Sequence, residues 1–373
     1  MKPHLLHVFS TFVAGGPQVR TARLLSAFGD RFRHTIVPMD GRTEARELLP
    51  QSLDCEVLSR PKASGTWRMV RELRGLLREQ APDLLLTYNW GAIEAVMAGR
   101  TLSRLPILHH EDGFRPDELA GFKKRRIWTR RWVLRGLDVI VPSHTLFEIA
   151  TKLWRLEGKR VHWIPNGIEV SDFPSADGNL ERRREIGIPE DALVLGSVGH
   201  LRGEKNPVRL IEALSLVERT RTQGDPELHV LMLGDGPERG PVEEARERLG
   251  LADRVHLVGH REETAGDYRA MNVFTLSSDT EQMPVALLEA MAAGLPVVST
   301  KVGDVPRILP EAQAGFVTPL SAQGLAEGIT RVLEADRGAL GRANQERVTE
   351  SFSFGAMVEG YLERIEKASA GIG

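Results

Sequence analysis

Two doubly wound α/β domains, each built on a parallel sheet, are what this chain predicts. Three observations carry that expectation. At about 150 residues per domain, 373 residues provide two cores. Short apolar runs alternate with amphipathic helical stretches throughout, the βαβ pattern of parallel sheets. That alternation also breaks off and restarts, with residues 165–191, rich in Pro, Gly, Ser and Asp, lying between the two series.

In the first series, strands are expected at 4–9 (HLLHVF), 34–38 (HTIVP), 83–87 (DLLLT), 106–109 (PILH) and 138–142 (DVIVP). Helices lie between them, clearest at 66–80 and 119–136. The break ends in the charged run Glu181–Glu185 and reads as a hinge. The second series supplies strands at 192–199 (ALVLGSVG), 228–234 (LHVLMLG), 255–258 (VHLV), 273–276 (VFTL) and 296–299 (PVVS). No short-period repeat or low-complexity tract interrupts them. The expected domains are therefore 1–165 and 166–352. Ligands of such sheets bind beyond the carboxyl ends of the strands, so the loops of both domains are expected to face a shared cleft.

Composition narrows the class. An apolar content of 41% with a net charge of −2 excludes a disordered chain. The single cysteine, Cys55, cannot close an intramolecular disulfide or build a Cys-rich zinc site. The start, MKPHLLHVFSTFVAGG, lacks a signal-peptide core and no 18-residue apolar run occurs, so a soluble cytoplasmic protein is expected. The near-zero charge hides an asymmetry. Residues 1–165 hold 27 Lys and Arg against 17 Asp and Glu, leaving the remainder acidic. The basic half favours an anionic partner: a phosphate-bearing substrate, an anionic membrane or nucleic acid.

The most informative stretch runs from Asp279 through Glu281, Met283, Pro284, Val285 and Glu289 to Gly294 and Pro296. A strand ends, a loop carries Glu281, Pro284 sits where a first helical residue belongs, and Gly294 stops the helix. With Glu281 in the loop and Glu289 in the second turn, both can face the helix N-terminus. Free amides around Val285 and Ala286 make that N-terminus a ready diphosphate site. The carboxylates then serve as acceptors for hydroxyls flanking the diphosphate, a sugar on one side and a ribose on the other. The alternative is a solvated Glu and a helix-surface Glu.

Three weaker constellations lie at other strand ends. Gly199-His-Leu-Arg-Gly-Glu-Lys-Asn-Pro follows the first strand of the second series and offers Arg202 and Lys205. Fixed cations and helix amides can neutralise the charge that gathers on a leaving diphosphate. Ala14-Gly-Gly-Pro-Gln follows strand one, where Gly15 and Gly16 permit close backbone approach at a helix start. No Gly-x-Gly-x-x-Gly fingerprint occurs there, which argues against an NAD enzyme. The fourth strand of the first series runs into His109-His-Glu-Asp, leaving His109, His110 and Asp112 as candidates for orienting or polarising a substrate.

Glu281-x7-Glu289 followed by Ala-Met-Ala-Ala-Gly-Leu-Pro-Val-Val resembles the signature of the family 4 retaining glycosyltransferases (glycosyl transferases group 1), which have the GT-B fold. The resemblance covers most of the chain, most strongly 192–317. It implies that Glu281 holds the donor-sugar hydroxyls, Glu289 the ribose hydroxyls, and Arg202 and Lys205 the diphosphate. It further implies that Gly15 and Gly16 close onto phosphates or acceptor, and that one of His109, His110 and Asp112 lies near the reacting sugar. Arg261 of the His260-Arg261 pair would meet the base through its backbone, with Tyr268 nearby. Ile164-Pro-Asn-Gly-Ile and Val302-Gly-Asp-Val-Pro are further family features, and the terminal segment 353–373 resembles the helix that crosses back to the first domain. Two departures stand out: Gln282 where the family has Gly, and Asp304 where it has a second Gly.

The activity so implied is transfer of a sugar, with retention, from a nucleotide sugar taken as UDP-linked. The implied acceptor is a saccharide or lipid-linked molecule of bacterial surface polysaccharide or glycolipid assembly. The nucleotide sugar is a substrate, so no separate cofactor is expected. The absence of an Asp-x-Asp suits a metal-independent site. The competing readings are a glycogen-synthase-like polymerase, a sugar-phosphate synthase, and an inactive nucleotide-binding scaffold. One segment stays outside the motifs: residues 122–135 interleave seven cations with Trp128 and Trp132. Either this helix lies on an anionic inner-membrane surface or its Trp face packs on its own sheet. Nucleic acid is not expected, since no recognised binding module frames the segment.

Overall fold

The computed structural model describes residues 2–58, 65–113 and 123–370. Contacts divide the chain into two units, Met1–Asn166 together with Gly355–Gly373, and Gly167–Phe354.

The first unit is a seven-stranded parallel sheet. Its strands are β1 (His4–Phe9), β2 (Arg33–Pro38), β3 (Cys55–Val57), β4 (Leu84–Tyr88), β5 (Ile107–His110), β6 (Asp138–Val141) and β7 (Val161–Trp163), in the order β3-β2-β1-β4-β5-β6-β7. Helices α1 (Gly16–Phe28), α2 (Thr66–Gln80), α3 (Ile93–Gly99), α4 (Lys124–Val133) and α5 (His144–Glu148) connect them. Every residue of β1 and β4 is buried, as expected for strands covered on both faces. α2 buries Leu73 and Leu77, one turn apart, and leaves Arg71 and Arg78 outside.

Several polar groups in this core pair with one another. His4 Nε2 meets Thr35 Oγ1 at 2.8 Å, and His7 bridges Tyr88 Oη at 3.0 Å and His34 Nδ1 at 3.1 Å.

The second unit is a six-stranded parallel sheet of β8 (Leu193–Val198), β9 (Leu228–Leu233), β10 (Val255–Leu257), β11 (Val273–Leu276), β12 (Val297–Thr300) and β13 (Val317–Thr318). Its order is β10-β9-β8-β11-β12-β13. Around it lie α6 (Leu180–Ile186), α7 (Pro207–Glu218), α8 (Arg239–Arg248), α9 (Ala265–Ala270), α10 (Val285–Ala292), α11 (Val305–Ile308), α12 (Ala322–Glu334) and α13 (Arg337–Ser351). The last described helix, α14 (Phe354–Ala370), belongs to the first unit from Gly355 on: Ile365 is buried and the Tyr361 ring stacks on His110 at 5.5 Å. In each sheet the connections run outward in opposite directions from one adjacent strand pair, β1/β4 in the first and β8/β11 in the second. The crevice beyond the carboxyl ends of such a pair is where doubly wound sheets bind ligands.

Several expectations need correction. β3, β7 and β13 lie outside the expected strands, because Cys-Glu-Val, Val-His-Trp and Val-Thr are too short and too polar to stand out as apolar runs. The expected hinge is not a linker throughout. Its charged run folds as α6, whose buried Arg183 donates to the carbonyls of Ala270, Glu190 and Ala192 and to Asn272 Oδ1. The helix expected at 119–136 is Lys124–Val133, and residues 119–122 lie outside the described residues. Among the described residues no helix is long and apolar enough to cross a membrane.

Candidate functional site

In the second unit, the loops after β8 and β11 are stitched together. Arg209 of α7 donates to the Ser277 carbonyl at 2.7 Å and to Asp279 Oδ1 at 2.5 Å. Asn206 reaches Asp279 Oδ2 at 3.1 Å, and Ser277 Oγ donates to the Lys205 carbonyl at 3.1 Å. That stitching sets Lys205 Nζ 2.5 Å from Glu281 Oε1, which also accepts from Ser278 Oγ at 2.8 Å. Glu281 is nearly buried, its side chain 8% exposed, against 34% for Lys205.

Behind Glu281, the backbone of the loop after β12 comes in close. Gly303 sits at φ +47°, and a Cβ there would stand 2.1 Å from the Glu281 carbonyl oxygen, so only glycine fits.

α10 begins one residue later than expected. Pro284 is its N-cap, in extended backbone, not its first helical residue. No side chain caps that end, so its first amides stay available to an anion. Met283 beneath it is buried and Val285 half-buried. One turn on, Glu289 Oε2 accepts from Tyr268 Oη at 2.7 Å, and the same hydroxyl contacts the Ala286 carbonyl at 3.2 Å. Burial and the neighbouring Glu289 carboxylate push the Tyr268 phenol well above its usual range, so it stays a neutral donor. Tyr268 thus orients Glu289 as Lys205 orients Glu281.

Arg202 is not drawn into that pair. It caps a short turn, 55% exposed, 4.0 Å from Glu204. His260 and Arg261 are exposed just beyond β10. The preceding Gly259 carbonyl accepts from Gly234, whose φ of +125° and 2.0 Å virtual-Cβ approach to the Gly199 oxygen again require glycine.

In the first unit the three candidates at the end of β5 separate. His109 is fully buried, with Nδ1 at 2.8 Å from Thr87 Oγ1 and Nε2 at 3.6 Å from Glu111, so it belongs to the sheet interior. His110 is buried between the rings of Tyr88, 4.4 Å away, and Tyr361. Burial first, then Arg20, holds its imidazole well below the usual range, and so neutral. Asp112 stands at the strand end. It accepts from Arg20 NH1 at 2.5 Å and from Asn89 Nδ2 at 3.2 Å, and its own amide donates to Asn89 Oδ1 at 2.7 Å. Gly15 is the N-cap of α1 and Gly16 its first residue, with open space around the latter.

Two family matches now bear on this geometry: "Glycosyl transferase 4-like domain" over residues 15–167 and "Glycosyl transferases group 1" over residues 179–347. The chain belongs to the group 1 glycosyltransferases. It is 27% identical over 242 residues to the D-inositol 3-phosphate glycosyltransferase of Stackebrandtia nassauensis, covering 62% of this chain and 53% of that protein. It is 33% identical over 263 residues to the putative teichuronic acid biosynthesis glycosyltransferase TuaC of Bacillus subtilis, covering 68% and 62%. The chain thus spans between about half and two thirds of the length of these relatives. Its fold is that of GT-B structures such as Anabaena Alr3699/HepE in complex with UDP, at TM-score 0.82 and 20% identity over 98% of this chain and 100% of that one.

Within this group 1 glycosyltransferase, the motifs led to Lys205, Glu281, Tyr268 and Glu289, but not to the residues that hold them. Arg209 lies four residues past Lys205 and Asp279 two before Glu281, a pairing visible only once the two loops meet. Arg20 and Asn89 had no signal beyond position after a strand.

Proposed function

We propose that this chain transfers a sugar from a nucleoside-diphosphate sugar, UDP-linked, to a saccharide or lipid-linked acceptor, with retention and without a metal ion. The observation that carries the reading is the pairing of two oriented carboxylates, Glu281 on Lys205 and Glu289 on Tyr268, on either side of the uncapped α10 N-terminus. The α10 amides with Lys205 and Arg202 bind the diphosphate. Glu281 accepts from the sugar hydroxyls and Glu289 from the ribose.

Transfer breaks the bond between the anomeric carbon and the diphosphate oxygen, whose electron pair stays on the diphosphate. The acceptor oxygen bonds to the same face of that carbon, and its proton passes to the departing diphosphate. Lys205, Arg202 and the helix dipole stabilise the charge developing there. Binding of UDP by HepE and the polysaccharide assignment of TuaC support the donor and acceptor classes.

The same reading places the acceptor side at a membrane surface. Trp128 and Trp132 do not pack on the sheet; they are 56% and 66% exposed. The helix instead buries Arg130, 4.9 Å from each of the Trp90 and Trp154 rings and bidentate to Glu111. Exposed indoles among cations suit an anionic bilayer, each cation adding about 1 kcal/mol near the surface.

Proton NMR of the purified chain with UDP-glucose and related UDP-sugars tests the chemistry. The expected result is slow release of UDP with the α-anomer of the sugar appearing first. First appearance of the β-anomer would overturn retention, and no turnover with any nucleotide sugar would favour an inactive scaffold.

A further inference from the structure

Arg20 is a buried cation of the first unit for which the site above has no use. It lies on α1, with its side chain 7% exposed, and donates only through NH1, to Asp112 and to Asn166 Oδ1 at 3.2 Å. Its Nε and NH2 are buried and find no partner among the described residues. Other buried arginines of this chain behave differently. Arg183 engages Nε, NH1 and NH2 with protein oxygens, and Arg130 sets its Nε/NH2 edge against the Glu111 carboxylate at 3.0 and 3.2 Å. Buried donors left unmade are costly, and that edge is the bidentate fork that matches carboxylate and phosphate geometry.

The surroundings point the same way. Gly15 caps α1 without a side-chain bond, and no acidic residue occupies the first turn, so the positive end of the helix is uncompensated. Asn89, which clamps Asp112, has φ +60° and ψ 178°, a backbone conformation otherwise confined to glycine. Such strain is retained where a site is held ready. Arg20, Asn89 and Asp112 come from α1 and the ends of β4 and β5, around the crevice where the sheet order reverses.

We propose that the Nε/NH2 edge of Arg20 receives an oxyanion on the acceptor, a carboxylate or a phosphoryl group, and thereby selects charged over neutral acceptors. The word acceptor rests on the glycosyltransferase reading; the binding event does not.

Ligand-observed NMR on the full chain tests this with methyl glucuronide, sn-glycerol 3-phosphate and methyl glucoside as probes, and with UDP in parallel. The charged probes distinguish a carboxylate from a phosphate, and the glucoside reports neutral hydroxyls alone. One charged probe should bind the wild type and not the glucoside. Arg20→Met should weaken it by about tenfold to a hundredfold. Arg20→Lys, which keeps the charge but not the fork, should fall between, with UDP binding unchanged in both variants. Equal binding of charged and neutral probes, silence of both anions, or anion binding that survives Arg20→Met would overturn the proposal. Failure of UDP to bind the wild type would count against the glycosyltransferase reading alone.

Discussion

Replacing Glu281 by glutamine should tighten the binding of UDP while abolishing sugar transfer. Glu281 holds Lys205 at 2.5 Å, so a diphosphate must compete with the carboxylate for the same ammonium. With Lys205 34% exposed, solvent screens the pair, and its worth is on the order of 1 kcal/mol, below that of a buried bridge. Glutamine keeps the shape and can still accept from Ser278, but no longer neutralises Lys205. Releasing about 1 kcal/mol of competition corresponds to roughly fivefold tighter UDP binding. Loss of the carboxylate proposed to accept from the sugar hydroxyls should meanwhile lower turnover by at least about a hundredfold. Calorimetric titration of UDP into both proteins, with donor turnover followed by NMR, reads the two effects separately. UDP binding tenfold weaker in E281Q, or turnover unchanged, would refute the argument that one lysine serves both partners in turn.

Other perturbations have equally definite signs. Tyr268→Phe removes the donor that orients Glu289 and should weaken UDP binding about tenfold, by calorimetry, because hydrogen bonds to charged groups are worth roughly 1.5–3 kcal/mol. Arg130→Met strands the Glu111 carboxylate, itself 1% exposed, and should cost about 3–5 kcal/mol in urea unfolding, much of it restored in the R130M/E111Q double variant. Trp128→Ala with Trp132→Ala should abolish sedimentation with phosphatidylglycerol vesicles yet leave the melting temperature within about a degree, since both indoles are largely in solvent. His7 and His34 are buried, and burial is the first cause lowering each, His34 to about 4. An unfolded histidine protonates near 6.5 while folded His34 does not until about 4, so stability should fall as pH drops through that window, by about 3 kcal/mol for His34. Urea midpoints equal at pH 7.5 and pH 5 would contradict this.

What the sequence disclosed follows from the period of its signals. β1, β11 and α2 have the expected bounds because a buried six-residue run with four apolar positions, a four-residue run and a fifteen-residue amphipathic stretch each leave a clear pattern. β13, two residues long, leaves none. Glu281 with Glu289, and Arg202 with Lys205, could be found because the spacing within each pair is local. Arg209 with Asp279, and Arg20 with Asp112, are separated by 70 and 92 positions and become neighbours only through strand order. The basic helix shows a different limit. Helical spacing grouped Trp128 with Trp132 but could not say which face met the sheet. A charged residue took the interior because Glu111 and two indoles were waiting for it.

Isothermal titration of UDP, GDP, ADP and CMP into the wild type and into Glu289→Ala tests the central assignment most directly. The account predicts that UDP alone among the four binds the wild type well, and that Glu289→Ala weakens it by about tenfold through loss of the ribose acceptor. Absence of binding by all four nucleotides, or UDP affinity indifferent to Glu289, would contradict a nucleotide-sugar site at the α10 N-terminus.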